Sequence, residues 1–239
     1  MKTCISAWMA VLCVLVPSAP ALAEGWSGGL ELGFSNTSGN SRNATLTTRF
    51  DLKYENAVWN HELFGDAYYA RSDSERTAER HALGYKPRYL LSERAYAFGS
   101  LRYDRDRFSD INHRWTMIGG YGRELIDTER THLEAELGAG ARQTKYYENE
   151  DGLSRSEPVL YVGGRFQHAV SDTARFIQTL RVEYGHDNTS SEAVSSLQMR
   201  VTDTVSAKLS HTFRHNSHLT GVRGKKLDQI TTVNMVYSF

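Results

Sequence analysis

Residues 131–147 read THLEAELGAGARQTKYY, and this stretch decides the fold. Leu133, Ala135, Leu137, Ala139 and Ala141 hold the odd positions, and Glu134, Glu136, Gly138, Gly140 and Arg142 the even ones. A period of two puts alternate side chains on opposite faces of an extended chain. A helix would need apolar residues three and four apart, which this stretch does not show. It reads as a strand with one apolar face and one small or charged face. It is also much longer than the roughly five or six residues of a strand in a water-soluble domain.

The same alternation recurs on both sides of it. Gly25–Thr37 sets Trp26, Gly28, Leu30, Leu32 and Phe34 against Ser27, Gly29, Glu31, Gly33 and Ser35. Ala44–Glu55 sets Leu46, Phe50, Leu52 and Tyr54 against Thr45, Thr47, Arg49, Asp51 and Lys53. Trp59–Arg71 sets Leu63, Ala67 and Tyr69 against Glu62, Asp66 and Tyr68, and His81–Leu91 sets Leu83, Tyr85, Tyr89 and Leu91 against Lys86 and Arg88. Seven further segments follow the pattern: Ala95–Asp106, Arg114–Leu125, Ser156–Val170, Arg175–Asp187, Ala193–Val201, Val205–Asn216 and Lys226–Phe239. The result is twelve predicted strands, with ten or fourteen as the alternative segmentations.

Connection lengths alternate as well. Short ones fall at Asn56-Ala57, Ser92–Arg94, Ile126–Arg130, Ser171–Ala174 and Thr202–Thr204. Longer polar ones fall at Ser38–Asn43, Ser72–Arg80, Arg107–His113, Tyr147–Glu157, Asn188–Glu192 and Ser217–Lys225. Short turns on one side and long loops on the other are the layout of an antiparallel, up-and-down transmembrane β-barrel. With the apolar face in lipid, the charged face lines a lumen. Glu31, Arg49, Asp51, Lys53, Glu62, Asp66, Arg88, Arg102, Asp104, Glu134, Glu136, Arg142, Arg165, Arg181, Glu183, Lys208 and Arg214 then point inward. Both signs occur on neighbouring strands, so ion pairs are expected to fill the interior. Aromatics near strand ends, Trp26, Tyr54, Trp59, Tyr89, Tyr121 and Tyr237 on the short-turn side and Phe34, Tyr69, Tyr103, Trp115 and Tyr184 on the other, fit two interfacial girdles. A periplasmic sandwich or a lipocalin-like barrel would put the apolar face inside instead.

Composition sets further limits. The chain has 239 residues, 28 basic against 28 acidic, so no excess charge draws it to nucleic acid. A mean hydropathy of -0.51 resembles that of a soluble protein, but alternation averages away in such a sum. Residues 1–23 differ from the rest: Lys2, an apolar run from Ile5 to Val16, then Ala21-Leu22-Ala23. This is the pattern of a secretory signal peptide cleaved before Glu24, leaving 24–239 as the barrel. Both cysteines, Cys4 and Cys13, lie in that leader, so the mature barrel is expected to hold no disulfide.

Candidate reactive groups are few. His211 and His215 have the i,i+4 spacing of a zinc-binding helix, but on a strand they stand about 13 Å apart. With His218 added they still make no metal site, and no metal or cofactor is expected. No G-x-S-x-G nucleophile motif occurs, although a barrel hydrolase acting on lipid or peptide stays open as an alternative. The Tyr147–Glu157 loop carries Glu148, Glu150, Asp151 and Glu157, and Arg214–Lys226 carries Arg214, Arg223, Lys225 and Lys226. Such loops suit solvation, or contact with lipopolysaccharide phosphates and divalent cations in a surface-binding module.

The first hairpin, Leu30–Glu55, resembles the opening of the YdiY-like family of salt-induced outer-membrane proteins. The likeness rests on a Gly-rich strand, the turn Thr37-Ser38-Gly39-Asn40 and a Thr-rich second strand, and the chain ends on Tyr-Ser-Phe as they do. The resemblance implies an outer-membrane barrel with no assigned reaction or ligand. Val233, Met235, Tyr237 and Phe239 share one face of the last strand, and Tyr237 with Phe239 resembles the signal read by barrel-assembly machinery. The reading that follows is a Gram-negative envelope protein, a narrow pore for small ions or solutes or a structural element under osmotic or salt stress. Its expected partners are outer-membrane lipids, lipopolysaccharide and the export and assembly machinery.

Overall fold

The computed structural model describes residues 25–37, 43–72, 75–107, 111–146, 154–217 and 227–239. The expected leader, the Ser38-Gly39-Asn40 turn, His218 and the charged loop residues Glu148, Glu150, Asp151, Arg223, Lys225 and Lys226 lie outside the described residues. Twelve strands follow in order: β1 (Trp26–Thr37), β2 (Asn43–Glu55), β3 (Trp59–Ser72), β4 (Glu75–Ser92), β5 (Ala95–Asp106), β6 (Ile111–Asp127), β7 (Thr131–Tyr146), β8 (Ser154–Ala169), β9 (Ala174–Gly185), β10 (Ser190–Arg200), β11 (Val205–Asn216) and β12 (Leu227–Ser238). Each pairs antiparallel with its sequence neighbours, and β1 closes on β12.

Four of the five short turns share one device. A side-chain oxygen at or near the start of the turn accepts a hydrogen bond from a backbone N–H three residues on: Asn56 Oδ1 from Trp59 at 2.8 Å, Thr128 Oγ1 from Thr131 at 3.0 Å, Ser171 Oγ from Ala174 at 3.0 Å and Thr202 Oγ1 from Val205 at 3.0 Å. Short oxygen-bearing side chains reverse the chain locally in this way, which is why these turns can stay short. The closing seam runs from Gly29↔Ser238 to Gly33↔Asn234. It is extended by reciprocal backbone bonds between Gly28 and Phe239 at 3.0 and 3.1 Å. The last residue is therefore part of the sheet.

Several boundaries depart from the sequence reading. The expected Ser72–Arg80 loop is mostly strand, because β4 starts at Glu75 and pairs with β3 through an irregularity at Ala70/Arg71. Its charged ERTAER start hides the alternation. β6 starts at Ile111, paired with Asp106, so the Arg107–His113 loop is shorter than expected. β10 starts at Ser190, which reduces the Asn188–Glu192 loop to a tight turn over 186–189.

The two faces are the inverse of those in a soluble protein. Leu137 is 64% exposed and its neighbour Glu136 only 3%. Outward positions carry exposed Phe34, Met117, Leu160, Val233 and Met235, while Arg142, Glu183 and Lys208 are buried inside. In a closed barrel with every strand paired, an apolar exterior is a surface for lipid. The chain is an antiparallel transmembrane barrel.

The interior is not filled by charge alone, as the sequence reading had it. Tyr96, Phe98, Ile118 and Val159 form a buried cluster inside the wall. On β5 the usual size order is reversed, with Ala95, Ala97 and Gly99 facing out and Tyr96 and Phe98 facing in. Gly120 and Gly122 on β6 accommodate them: a Cβ at Gly122 would strike the Tyr96 ring, and one at Gly120 the Phe98 ring.

Candidate functional site

The register sets which charges meet inside. Across adjacent strands Glu31 faces Arg49, Arg49 faces Asp66, Lys53 faces Glu62 and Glu62 faces Lys86. All of the charges expected to line the lumen fall on this inner face of the pairing ladder, including Arg88, Arg165 and Arg181.

Near the short-turn side, Glu136 collects several donors. Lys86 Nζ lies 2.6 Å from it, Arg88 3.6 Å, and the Tyr96 and Tyr161 hydroxyls donate at 2.9 and 3.1 Å. Arg88 also pairs with Glu134 at 3.0 Å, and its guanidinium lies 4.7 Å from the Tyr96 ring centre. Opposite this cluster, Lys208 pairs with Glu31 at 2.5 Å, and Asn234 donates to the same carboxylate at 3.3 Å.

Toward the loop side the pairs form a belt. Arg102 binds Asp104 at 2.8 Å and Asp66 at 3.7 Å. Arg181 pairs with Glu183, Arg214 with Glu192, and Arg80 with Asp106 at 3.3 Å. Arg142 is fully buried between Glu157 at 2.6 Å and Glu183 at 3.4 Å. It also donates to the backbone oxygen of buried Asn188, while Glu157 accepts from the Asp187 N–H at 2.8 Å. The tight 186–189 turn is thus anchored into the belt. Glu157, read above as a loop charge, is a belt member within β8, and Arg214, read above both as a lumen charge and as the start of a basic loop, is one within β11.

Between belt and turns lies a cavity of about 310 Å³, lined by charges of both signs from β1–β5 and β7–β11. A smaller one of about 90 Å³ lies on the loop side, and Arg102, Arg181 and Glu192 border both. These three side chains form the partition. The sequence reading had placed Lys86 on the charged face without naming it as a lumen residue, and it missed Glu192, Arg80 and Arg114 altogether. Inward parity on β10, β4 and β6 was the signal that could have found them. His211 and His215 face outward, and His211 Nδ1 meets the Thr231 hydroxyl at 2.7 Å.

A family model described as "Protein of unknown function, DUF481" matches residues 30–239. The chain belongs to this family. It is 27% identical over 213 residues to the uncharacterized protein YdiY of Escherichia coli (strain K12), covering 89% of this chain and 83% of that one. Among solved structures it is similar to the NanC porin, with a TM-score of 0.56 and 10% identity over 88% of this chain and 98% of that one. It is also similar to an outer membrane channel from Pseudomonas putida F1, with a TM-score of 0.53 and 11% identity over 90% and 95% of the two chains. At such identities the likeness is one of fold.

Proposed function

We propose that this chain is an outer-membrane β-barrel of the Gram-negative envelope, forming a narrow pore for small ions and polar solutes that is restricted on its loop side by the ion-pair belt. The belt carries the reading. A purely structural barrel of this girth could fill its lumen throughout, whereas here paired charges partition a polar cavity from the loop side. Twelve strands lie between the filled eight-stranded barrel and the open sixteen-stranded porin. The family membership and the fold shared with a porin and an outer membrane channel are consistent with this.

The leader in residues 1–23 and exposed Tyr237 and Phe239 at the sheet end belong to the same proposal, as export and assembly signals. A role under osmotic or salt stress belongs to the same proposal, supported by the partly exposed Arg214–Glu192 pair of the belt, which screening by salt can reach. Catalysis is no part of the proposal.

Membrane fractionation and liposome swelling test it. The barrel should fractionate with the outer membrane and admit small polar solutes into liposomes while excluding oligosaccharides. Recovery from the soluble periplasm, or liposomes as tight as protein-free ones at every salt concentration, would overturn it.

A further inference from the structure

The pattern of pairing inside the lumen leaves a specific set of charges without an ion-pair partner. Arg49 stands between Glu31 and Asp66 in the register, yet Glu31 binds Lys208 at 2.5 Å and Asp66 lies 3.7 Å from Arg102. Glu62 stands between Lys53 and Lys86, yet Lys86 turns to Glu136 at 2.6 Å. Asp51 lies on the same face as its strand neighbours Arg49 and Lys53, about 7 Å from each along the strand. Arg165 on β8 lines the same cavity from another part of the wall, donating to the neutral amide oxygen of Gln167 at 2.7 and 3.2 Å. No ion pair within 4 Å joins Arg49, Asp51, Lys53, Glu62 or Arg165 to another described residue. Other lumen charges, Lys86 and Arg88 of β4 among them, find partners even across two intervening strands, on β7.

These five groups share one cavity of about 310 Å³ on the short-turn side of the Arg102–Arg181–Glu192 partition. That volume holds about ten water molecules, and hence a solute with about as many heavy atoms. The cavity presents cations from β2 and β8 and anions from β2 and β3, none of them within 4 Å of a counter-charge among the described residues. A simple anion would satisfy the arginines and leave Asp51 and Glu62 facing it; a simple cation would do the reverse. A small zwitterion meets both sets through charge-assisted hydrogen bonds and adds no net charge to the lumen.

We infer that this cavity is a binding site for a small zwitterionic solute of amino-acid size, its carboxylate held by Arg49 and Arg165 and its ammonium by Asp51 and Glu62. The inference rests on reading the lumen as a path for small polar solutes and names the class of solute that path selects. The paired wall surrounds the site, so the ligand is a free solute entering along the barrel axis.

The test is calorimetric titration of the purified barrel in detergent at low ionic strength, with L-glutamine as the zwitterion and acetate and methylammonium as single-charge probes. L-glutamine should bind saturably, and acetate and methylammonium at least about tenfold more weakly. Arg165→Gln and Asp51→Asn, each with its heat-dependent gel shift retained, should each weaken L-glutamine by about tenfold or more. No saturable heat with L-glutamine, acetate or methylammonium binding as tightly, or both variants binding like wild type would overturn the site. If a variant loses its gel shift, the three-probe comparison on wild type still decides. Binding in detergent needs no conduction. Glutamine binding without liposome swelling would therefore refute the pore and keep the site, and swelling without glutamine binding would do the reverse.

Discussion

Replacing Arg142 with Met tests how the belt holds the barrel. The guanidinium is fully buried, 2.6 Å from Glu157 and 3.4 Å from Glu183. Arg142→Met leaves two buried carboxylates short of a partner, and breaking such a buried pair costs about 3–5 kcal/mol. The lower end applies, because Glu183 keeps Arg181 and Glu157 keeps the Asp187 N–H at 2.8 Å. With a urea dependence of about 1–3 kcal/mol/M, a loss of about 3 kcal/mol lowers the unfolding midpoint by about 1–3 M. Tryptophan fluorescence of the barrel in lipid vesicles reads that midpoint. The double variant Arg142→Met/Glu157→Gln should recover most of the loss, since Glu157 gives up its stranded charge while Glu183 keeps Arg181. A midpoint unchanged by Arg142→Met would refute the argument, and so would a double variant no better than the single one.

Three further outcomes follow from particular contacts. Gly122→Val should destabilise the barrel by about 1–3 kcal/mol and lower the temperature of its gel shift, because the new side chain meets the Tyr96 ring. Deleting Phe239 removes both backbone bonds to Gly28, and should lower the yield of heat-shifted barrel in the membrane fraction, with about 0.5–1.5 kcal/mol lost per bond. Raising salt from about 0.1 to 1 M should increase liposome swelling rates beyond the effect of osmolarity alone, as screening loosens the Arg102, Arg181 and Arg214 pairs.

Much of this architecture was legible in the residues, because lipid outside and polar side chains inside force an alternation that local reading detects. Leu133 to Arg142 alone shows both faces, and the same parity places Glu31, Arg49, Glu136 and Lys208 on one side of the sheet. Partner choice was not legible. Lys86 passes over Glu62 directly across the ladder to reach Glu136, which depends on barrel curvature and on the room left by small residues such as Gly122. Tyr96 and Phe98 were missed for a related reason: a large inward side chain is tolerated only where glycines on the next strand make space, and that is a property of two strands together. Glu157 looked like a loop charge because it sits at the edge of a long polar connection, yet the ladder continues through it.

The central claim is that paired charges around Arg102, Arg181 and Glu192 narrow the lumen. Single-channel conductance in planar bilayers tests it most directly, comparing wild type with Arg102→Ser/Arg181→Ser. Wild type should show small current steps, and the double variant should show several-fold larger, more cation-selective ones, because Asp66 and Asp104 lose Arg102 and Glu183 is left with Arg142 alone. Wide-pore steps in wild type, or a double variant that folds and conducts like wild type, would contradict it.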